Sequence, residues 1–134
     1  MKILLDTCVI LDYLQERSDG LKEANIIFDY ISDNKIKGCI TVKSLMDIYY
    51  SIKHYWHEED TVRTALKYLF KLFEVLDSKH IEAYSALDSQ INDYEDALMV
   101  ETALNNDIDY IVTRDKDYKG CKIAVTPKQF LKII

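Results

Sequence analysis

The sequence predicts one α/β domain with three layers, in which a central, mostly parallel sheet lies between helices on both faces. Residues 3–5 are consecutive apolar residues, a run too short for a helix and typical of a strand buried on both faces. Strand-like and helix-like segments then alternate through all 134 residues, with only three glycines, one proline and no linker. Because each crossover between parallel strands covers one face of the sheet, this alternation predicts the three-layer arrangement.

Helices are predicted wherever apolar residues recur at intervals of three and four. The first such recurrence follows Asp6, in Val9, Ile10, Tyr13 and Leu14. Further helices are predicted at residues 21–34, from Ser44 through the apolar stripe that ends at Trp56, at residues 61–72, from the cap Ser78 through Leu87, and from the cap Asn92 to about Asn106. Thr126 and Pro127 supply a cap and a first-turn proline to a closing helix.

Strands after the first are predicted where short apolar runs stand between the helical patterns. These runs are residues 37–42, 73–76, 110–113 and 123–125. Each run is too short to be a helix of ordinary length, and each lies between two helical patterns, as in strand–helix–strand units. The first of the five strands ends directly before Asp6, and the fourth ends two residues before Asp115.

Composition narrows the classes of protein to consider. The charged fraction of 30% and the apolar fraction of 49% are ordinary for a globular domain. No apolar stretch approaches a membrane span, and the N-terminus lacks the pattern of a secretory signal, so we expect a cytoplasmic protein. Cys8, Cys39 and Cys121 lack CxxC pairing, which predicts reduced thiols and makes zinc unfavoured. The formal net charge of −6 argues against an unaided nucleic-acid binder.

Acidic residues are predicted to meet at one edge of the sheet. Asp6 and Asp115 follow strands, and the carboxyl ends of parallel strands form the crevice where α/β sheets bind ligands. Asp96 falls on the same helical face as apolar residues four and seven positions later, so we expect it to point inward. Asp93 lies on the same side, but an equally good interpretation is that it only complements the helix dipole. Asp117, two residues beyond Asp115, is expected to be solvated.

Asp47 has two interpretations. It follows Ser44 by three residues, which matches a capping box, and it lies off the apolar stripe of its own helix. Alternatively it joins the other acids at the sheet edge. Two unit charges about 5 Å apart at an effective dielectric constant of about 20 repel by roughly 3 kcal/mol. Converging carboxylates therefore need a cation, and ligation by oxygen alone fits Mg²⁺ or Mn²⁺.

Four segments, in order and spacing, resemble the PIN domain family, in particular the small bacterial PIN proteins that include the VapC-type toxins of toxin–antitoxin pairs. They are LLDTCVILDYL, SLMDIYYSI, DYEDALMVETA and IVTRDKDY. The resemblance covers nearly the whole chain and implies a single PIN-like domain over residues 1–134. It implies a divalent-metal-dependent ribonuclease, homodimerisation and, for toxins, inhibition by an antitoxin protein.

The resemblance also implies the site residues. The acids that it carries over are Asp6, Asp47, Asp96 and Asp115, of which all but Asp47 would hold the metal. Asp47, together with Asp93, would act through water or help to deprotonate the nucleophile. Polar and basic side chains next to the strand ends would contact phosphate, the metal ligands or the RNA backbone: Thr7, Thr113, Arg114, Lys116 and Lys119. The alternative interpretation of the last three is an ordinary solvated loop. Two positions depart from the usual pattern, with Cys8 where Asn is common and Asp47 where Glu is common.

Two other classes of protein conflict with the sequence, and a third alternative stays open. A haloacid-dehalogenase-type phosphatase needs an acid at the position of Cys8. A phospho-receiver domain expects an acidic pair at the end of the first strand and a lysine after the last, whereas Lys122 precedes the last predicted strand. The third alternative is a PIN-like partner-binding module that keeps its acids only for structure. Such a module should be indifferent to chelators, and a nuclease should not.

Overall fold

A computed structural model describes residues 1–134 and shows one sheet of five parallel strands in the order β3-β2-β1-β4-β5. The strands are β1 (Lys2–Leu5), β2 (Lys37–Thr41), β3 (Glu74–Leu76), β4 (Tyr110–Val112) and β5 (Ala124–Val125). β1 is central and pairs with β2 on one side and β4 on the other. The predicted fold class is confirmed, and all the strands of the sheet are parallel.

Seven helices connect and follow the strands. They are α1 (Thr7–Leu14), α2 (Leu21–Ser32), α3 (Val42–Trp56), α4 (Glu59–Leu72), α5 (His80–Ser85), α6 (Tyr94–Leu104) and α7 (Pro127–Phe130). Two short 3-10 turns lie at Ala86–Asp88 and Lys116–Tyr118. None of the helices has the length and apolar character needed to cross a lipid bilayer.

Two apolar cores lie on opposite faces of the sheet. Ile3 and Leu5 belong to the larger core, which they form with residues of α1, α2, α3, α4 and α7. Leu4, which points the other way in the pleat, belongs to the smaller core with Met99 and Ala103 of α6. Ile3, Leu4 and Leu5, the three apolar residues of β1, are completely buried. The strand is therefore covered by helices on both faces, as its apolar run predicts.

The order of the strands places a crevice beside β1. From β1 the chain moves outward to β2 and β3, and it then crosses back to add β4 and β5 on the other side. The direction of winding therefore reverses between β1 and β4, which is the switch point at which open α/β sheets bind ligands. The backbone N–H of Asp6 donates to the carbonyl of Val112 (3.0 Å), so the ends of the two strands are held together.

The caps of three helices differ from those predicted. α3 begins at Val42, and its cap is Thr41 rather than Ser44, because β2 continues into the helix without a loop. The Thr41 hydroxyl accepts the Ser44 N–H (3.1 Å), which excludes the capping-box interpretation of Asp47. α6 is capped by Asp93 rather than Asn92. Ser78 does not cap α5, because its hydroxyl is hydrogen-bonded to that of Thr102 (3.0 Å).

Thr41→Val should test the cap of α3. Because the hydroxyl satisfies a buried backbone N–H at the start of the helix, its loss should lower the free energy of unfolding by about 1–2 kcal/mol. Asp47→Asn is the control and should change that free energy by no more than about 0.5 kcal/mol, the value of an exposed i,i+4 ion pair. Urea denaturation measures both. A larger loss of unfolding free energy in Asp47→Asn than in Thr41→Val would contradict Thr41 as the cap of α3.

Candidate functional site

An open cavity of about 450 Å³ lies at the carboxyl ends of β1 and β4. The four acids singled out in the sequence, Asp6, Asp47, Asp96 and Asp115, all line it. Glu95, a neighbour of Asp96 that sequence reasoning did not select, lines it too. The fold therefore brings carboxylates from β1, α3, α6 and the segment after β4 to one opening, although they are far apart in the sequence.

Asp6 is held firmly by hydrogen bonds. Its Oδ1 accepts the Thr7 N–H (2.7 Å), and its Oδ2 accepts the Thr113 hydroxyl (2.6 Å) and the Cys8 thiol (3.6 Å). Burial raises the pKa of Asp6, and these hydrogen bonds only partly offset that effect. The Thr113 hydroxyl also accepts the N–H of Asp115 (2.9 Å), so one buried side chain ties together the ends of β1 and β4.

Asp96, Asp115 and Asp117 form the tightest group of acids, with one carboxylate oxygen from each lying within 4.8 Å of the others. Burial and, to a smaller extent, the negative charges of Asp93, Asp115 and Asp6 together raise the pKa of Asp96 to about 7. The expectation that Asp117 is only solvated was incomplete, because it is exposed but belongs to this group. The 3-10 turn at Lys116–Tyr118 places Asp117 beside Asp115, and the N–H of Asp117 donates to Asp115 Oδ1 (2.9 Å).

Asp93 and Arg114, which were considered as supporting residues, have structural partners. Asp93 Oδ1 accepts the N–H of Asp96 (3.1 Å), so Asp93 caps α6 and fixes the backbone from which Asp96 projects. The Nε and Nη2 atoms of Arg114 donate to the two carboxylate oxygens of Asp12, each at 2.7 Å. Asp12 is completely buried, and a Cβ at Gly20 would lie 2.0 Å from its Oδ2. Arg114 therefore lines the cavity while it is bound to α1.

Asp47 lies in the cavity but is already paired with a lysine. The Nζ of Lys43 is 2.6 Å from Asp47 Oδ2 and 3.0 Å from Glu95 Oε2. Partial burial lowers the pKa of Lys43, but the hydrogen bonds to these two acids outweigh it, and the net pKa is raised. Sequence reasoning missed Lys43, although its position four residues before Asp47 on one helix was an available signal.

The residues around the cavity fit a hard divalent cation. The grouped donors at Asp96, Asp115 and Asp117 are all carboxylate oxygens, the ligands that Mg²⁺ and Mn²⁺ prefer. Cys8 and Met99 are the cavity residues with softer sulfur donors. The Met99 sulfur accepts the Tyr118 hydroxyl (3.0 Å), and burial and the charge of Asp6 raise the pKa of the Cys8 thiol to about 11. The thiol therefore stays protonated at neutral pH, and a thiolate-bound metal is disfavoured.

Comparison with known proteins gives a family and a fold. A family model described as a PIN domain matches residues 2–117. No curated protein sequence matches the chain. Among solved structures, the chain is similar to a toxin–antitoxin complex from Klebsiella pneumoniae, with a TM-score of 0.70 and 23% identity, over 93% of this chain and 97% of that one.

Two further solved structures have the same fold. One is VapBC2 from Rickettsia felis bound to a DNA fragment from their promoter, with a TM-score of 0.67 and 13% identity over 94% of this chain and 97% of that one. The other is PAE2754 from Pyrobaculum aerophilum, with a TM-score of 0.67 and 15% identity over 99% of this chain and 88% of that one. At these identities the likeness shows the fold.

Asp96→Asn should stabilise the metal-free protein in a pH-dependent way. A carboxyl whose pKa is raised from 3.8 to about 7 binds its proton more tightly in the folded protein than in the unfolded chain. The wild-type protein should therefore lose stability as the pH rises through that window, and the neutral asparagine should not. In buffer with a chelator, the variant's advantage should be small near pH 4 and reach its maximum above pH 7.

Urea denaturation at a series of pH values measures this difference. Asp88→Asn, an exposed acid outside the cavity, is the matched control and should track the wild-type protein. If the advantage of Asp96→Asn does not grow between pH 4 and pH 7, Asp96 is not in the electrostatic environment described above.

Proposed function

The chain belongs to the PIN domain family, whose model covers residues 2–117, and on this premise we propose that it is a divalent-metal-dependent endoribonuclease, the toxin of a toxin–antitoxin pair. The observation that carries the proposal is the group of carboxylates in the crevice between β1 and β4. Such a group is unfavourable without a cation, and a cation there gives an acidic protein a way to bind and polarise a phosphodiester.

Asp6, Asp96 and Asp115 are the proposed metal ligands, and Asp117 joins them because of its position beside Asp96 and Asp115. A bound Mg²⁺ or Mn²⁺ would supply the positive charge that offsets the repulsion among these acids and polarises the phosphate. Thr113 orients Asp6 through a hydrogen bond of 2.6 Å. Thr7 contributes its backbone N–H to the same carboxylate and lines the cavity.

Two groups of residues are proposed to act on the substrate. Asp47 keeps its Oδ1 free of the ion pair with Lys43, so that oxygen is the one that can accept a proton from water. Lys116 and Lys119 are exposed directly after β4 and would contact the RNA backbone. Arg114 is less able to do so, because moving it would leave the buried carboxylate of Asp12 without a partner.

The toxin assignment is supported by the shared fold with toxin–antitoxin complexes. We propose that the chain forms a homodimer and binds an antitoxin protein in the cytoplasm. Its three free cysteines fit a reducing compartment. Exposed apolar side chains are available for such contacts, and on α5 and the turn after it they are Ile81, Tyr84 and Leu87.

The purified protein should cleave RNA only when a divalent metal is present. With a mixed-sequence RNA and Mn²⁺ or Mg²⁺ we expect cleavage, and EDTA should abolish it. Asp96→Asn should reduce the cleavage rate by about 100-fold or more, because the variant loses a ligand of the cation that polarises the phosphate. Asp88→Asn, outside the cavity, should cleave at the wild-type rate.

The free energy of unfolding provides a second measurement of metal binding. Metal at about 100 times its Kd should raise the free energy of unfolding by about 2.7 kcal/mol, and this gain should shrink in Asp96→Asn. Cleavage that persists in EDTA would contradict the metal-dependent mechanism. A protein that neither cleaves RNA nor gains stability from metal would instead be the partner-binding module.

Expression of the chain in bacteria should arrest growth if it is a toxin. Asp96→Asn should abolish the arrest while leaving the expressed amount unchanged, because the variant folds but binds the metal more weakly. If a short reading frame encoding an antitoxin lies next to the gene, its co-expression should relieve the arrest by the wild-type protein. Normal growth with an active nuclease would contradict the toxin assignment but not the ribonuclease assignment.

A further inference from the structure

We infer that Lys43 is an internal counter-ion that takes the place of a second metal, so that the cavity holds one divalent cation rather than two. This inference rests on the proposed metal site. It assigns to Lys43 and Glu95 a part in the site, and it gives a physical reason why Asp47 is not a direct metal ligand.

The contacts of Lys43 join two helices across the cavity. Its Nζ lies 2.6 Å from Asp47 Oδ2, one turn further along α3, and 3.0 Å from Glu95 Oε2 in the first turn of α6. All three side chains line the cavity that also holds Asp6, Asp96 and Asp115. One ammonium group therefore occupies the space between two carboxylates that belong to different elements of the fold.

The acids of the cavity fall into two groups that differ in charge compensation. Asp47 and Glu95 share the ammonium of Lys43. In contrast, none of Asp6, Asp96, Asp115 and Asp117 forms a salt bridge with a lysine or arginine, as the complete set of ion pairs shows. Asp6, Asp96, Asp115 and Asp117 therefore need an external divalent ion to balance their charge. Asp47 and Glu95 do not, because they already share an ammonium.

A lysine is suited to this role because its ammonium is a compact point charge on a flexible stem. Nucleases with two metals use the second ion to balance charge on the opposite side of the phosphate. In this chain the ammonium of Lys43 supplies a positive charge within the same cavity as the acidic group. Removing that charge would leave Asp47 and Glu95 facing each other without compensation, and these carboxylates should then bind a cation from solution.

The number of bound Mn²⁺ ions tests the inference. Titration of the purified protein, followed by the electron paramagnetic resonance signal of free Mn²⁺, should give one ion per wild-type chain. Lys43→Gln should bind a second ion at least tenfold more tightly than any further binding to the wild-type protein. Lys43→Arg keeps the positive charge and should bind one ion. Adding Glu95→Gln to Lys43→Gln should remove the second ion again.

Lys53→Gln is the matched control, because Lys53 lies on the same helix and pairs with Glu59 at 2.9 Å outside the cavity. Its side chain is 36% exposed and that of Lys43 is 35% exposed. This variant should bind one ion, as the wild-type protein does. Thermal melts of every variant check that the protein is folded.

The possible outcomes separate this inference from the proposed function. Two ions in the wild-type protein, or no additional ion in Lys43→Gln, would overturn the role of Lys43. No ion in the wild-type protein would overturn the proposed metal site. In that case, an ion gained by Lys43→Gln and lost again with Glu95→Gln would still support Lys43 as the internal counter-ion.

Discussion

Burial of β1 on both faces is the constraint on which the rest of the structure depends. Its three apolar residues are completely buried, and each contributes about 1.5–3 kcal/mol only if helices cover both faces. The chain must therefore add strands and helices on both sides of β1, and the winding must reverse beside it. The reversal leaves the carboxyl end of β1 open to solvent. Asp6 lies at that end, so the same constraint that builds the core also locates the cavity.

Local patterns were sufficient to predict most of the fold and part of the site. The apolar run of β1, the helical spacing around Asp96 and the positions of the strand ends all depend on nearby residues. Most of the features that were missed depend on distant partners. Asp12 and its partner Arg114 are 102 positions apart, and Lys43 meets Glu95 only because α3 and α6 converge. Asp117 was underestimated because a single turn after β4 decides which way it points.

The carboxylates in and around the cavity are stabilised in several different ways. Asp12 is bound by a guanidinium, Asp47 by an ammonium, and Asp6 and Asp93 by backbone or side-chain N–H and O–H groups. Asp96, Asp115 and Asp117 have no cationic partner within the chain. The densest group of acids without a cationic partner is thus the one formed by Asp96, Asp115 and Asp117. A cation bound there would change the local electrostatic potential from negative to positive.

The hydrogen bond from Thr113 to Asp6 also sets the time at which the cavity can first exist. The two residues are 107 positions apart, so at typical rates of synthesis roughly 5–20 seconds separate their addition to the chain. Throughout that interval the nascent polypeptide has the first acid but lacks β4, the last acids and the threonine that orients the first. While the residues before Thr113 are being added, the ribosome therefore carries a chain that lacks the assembled cavity. Assembly of the cavity must wait until residues 113–117 have been synthesised.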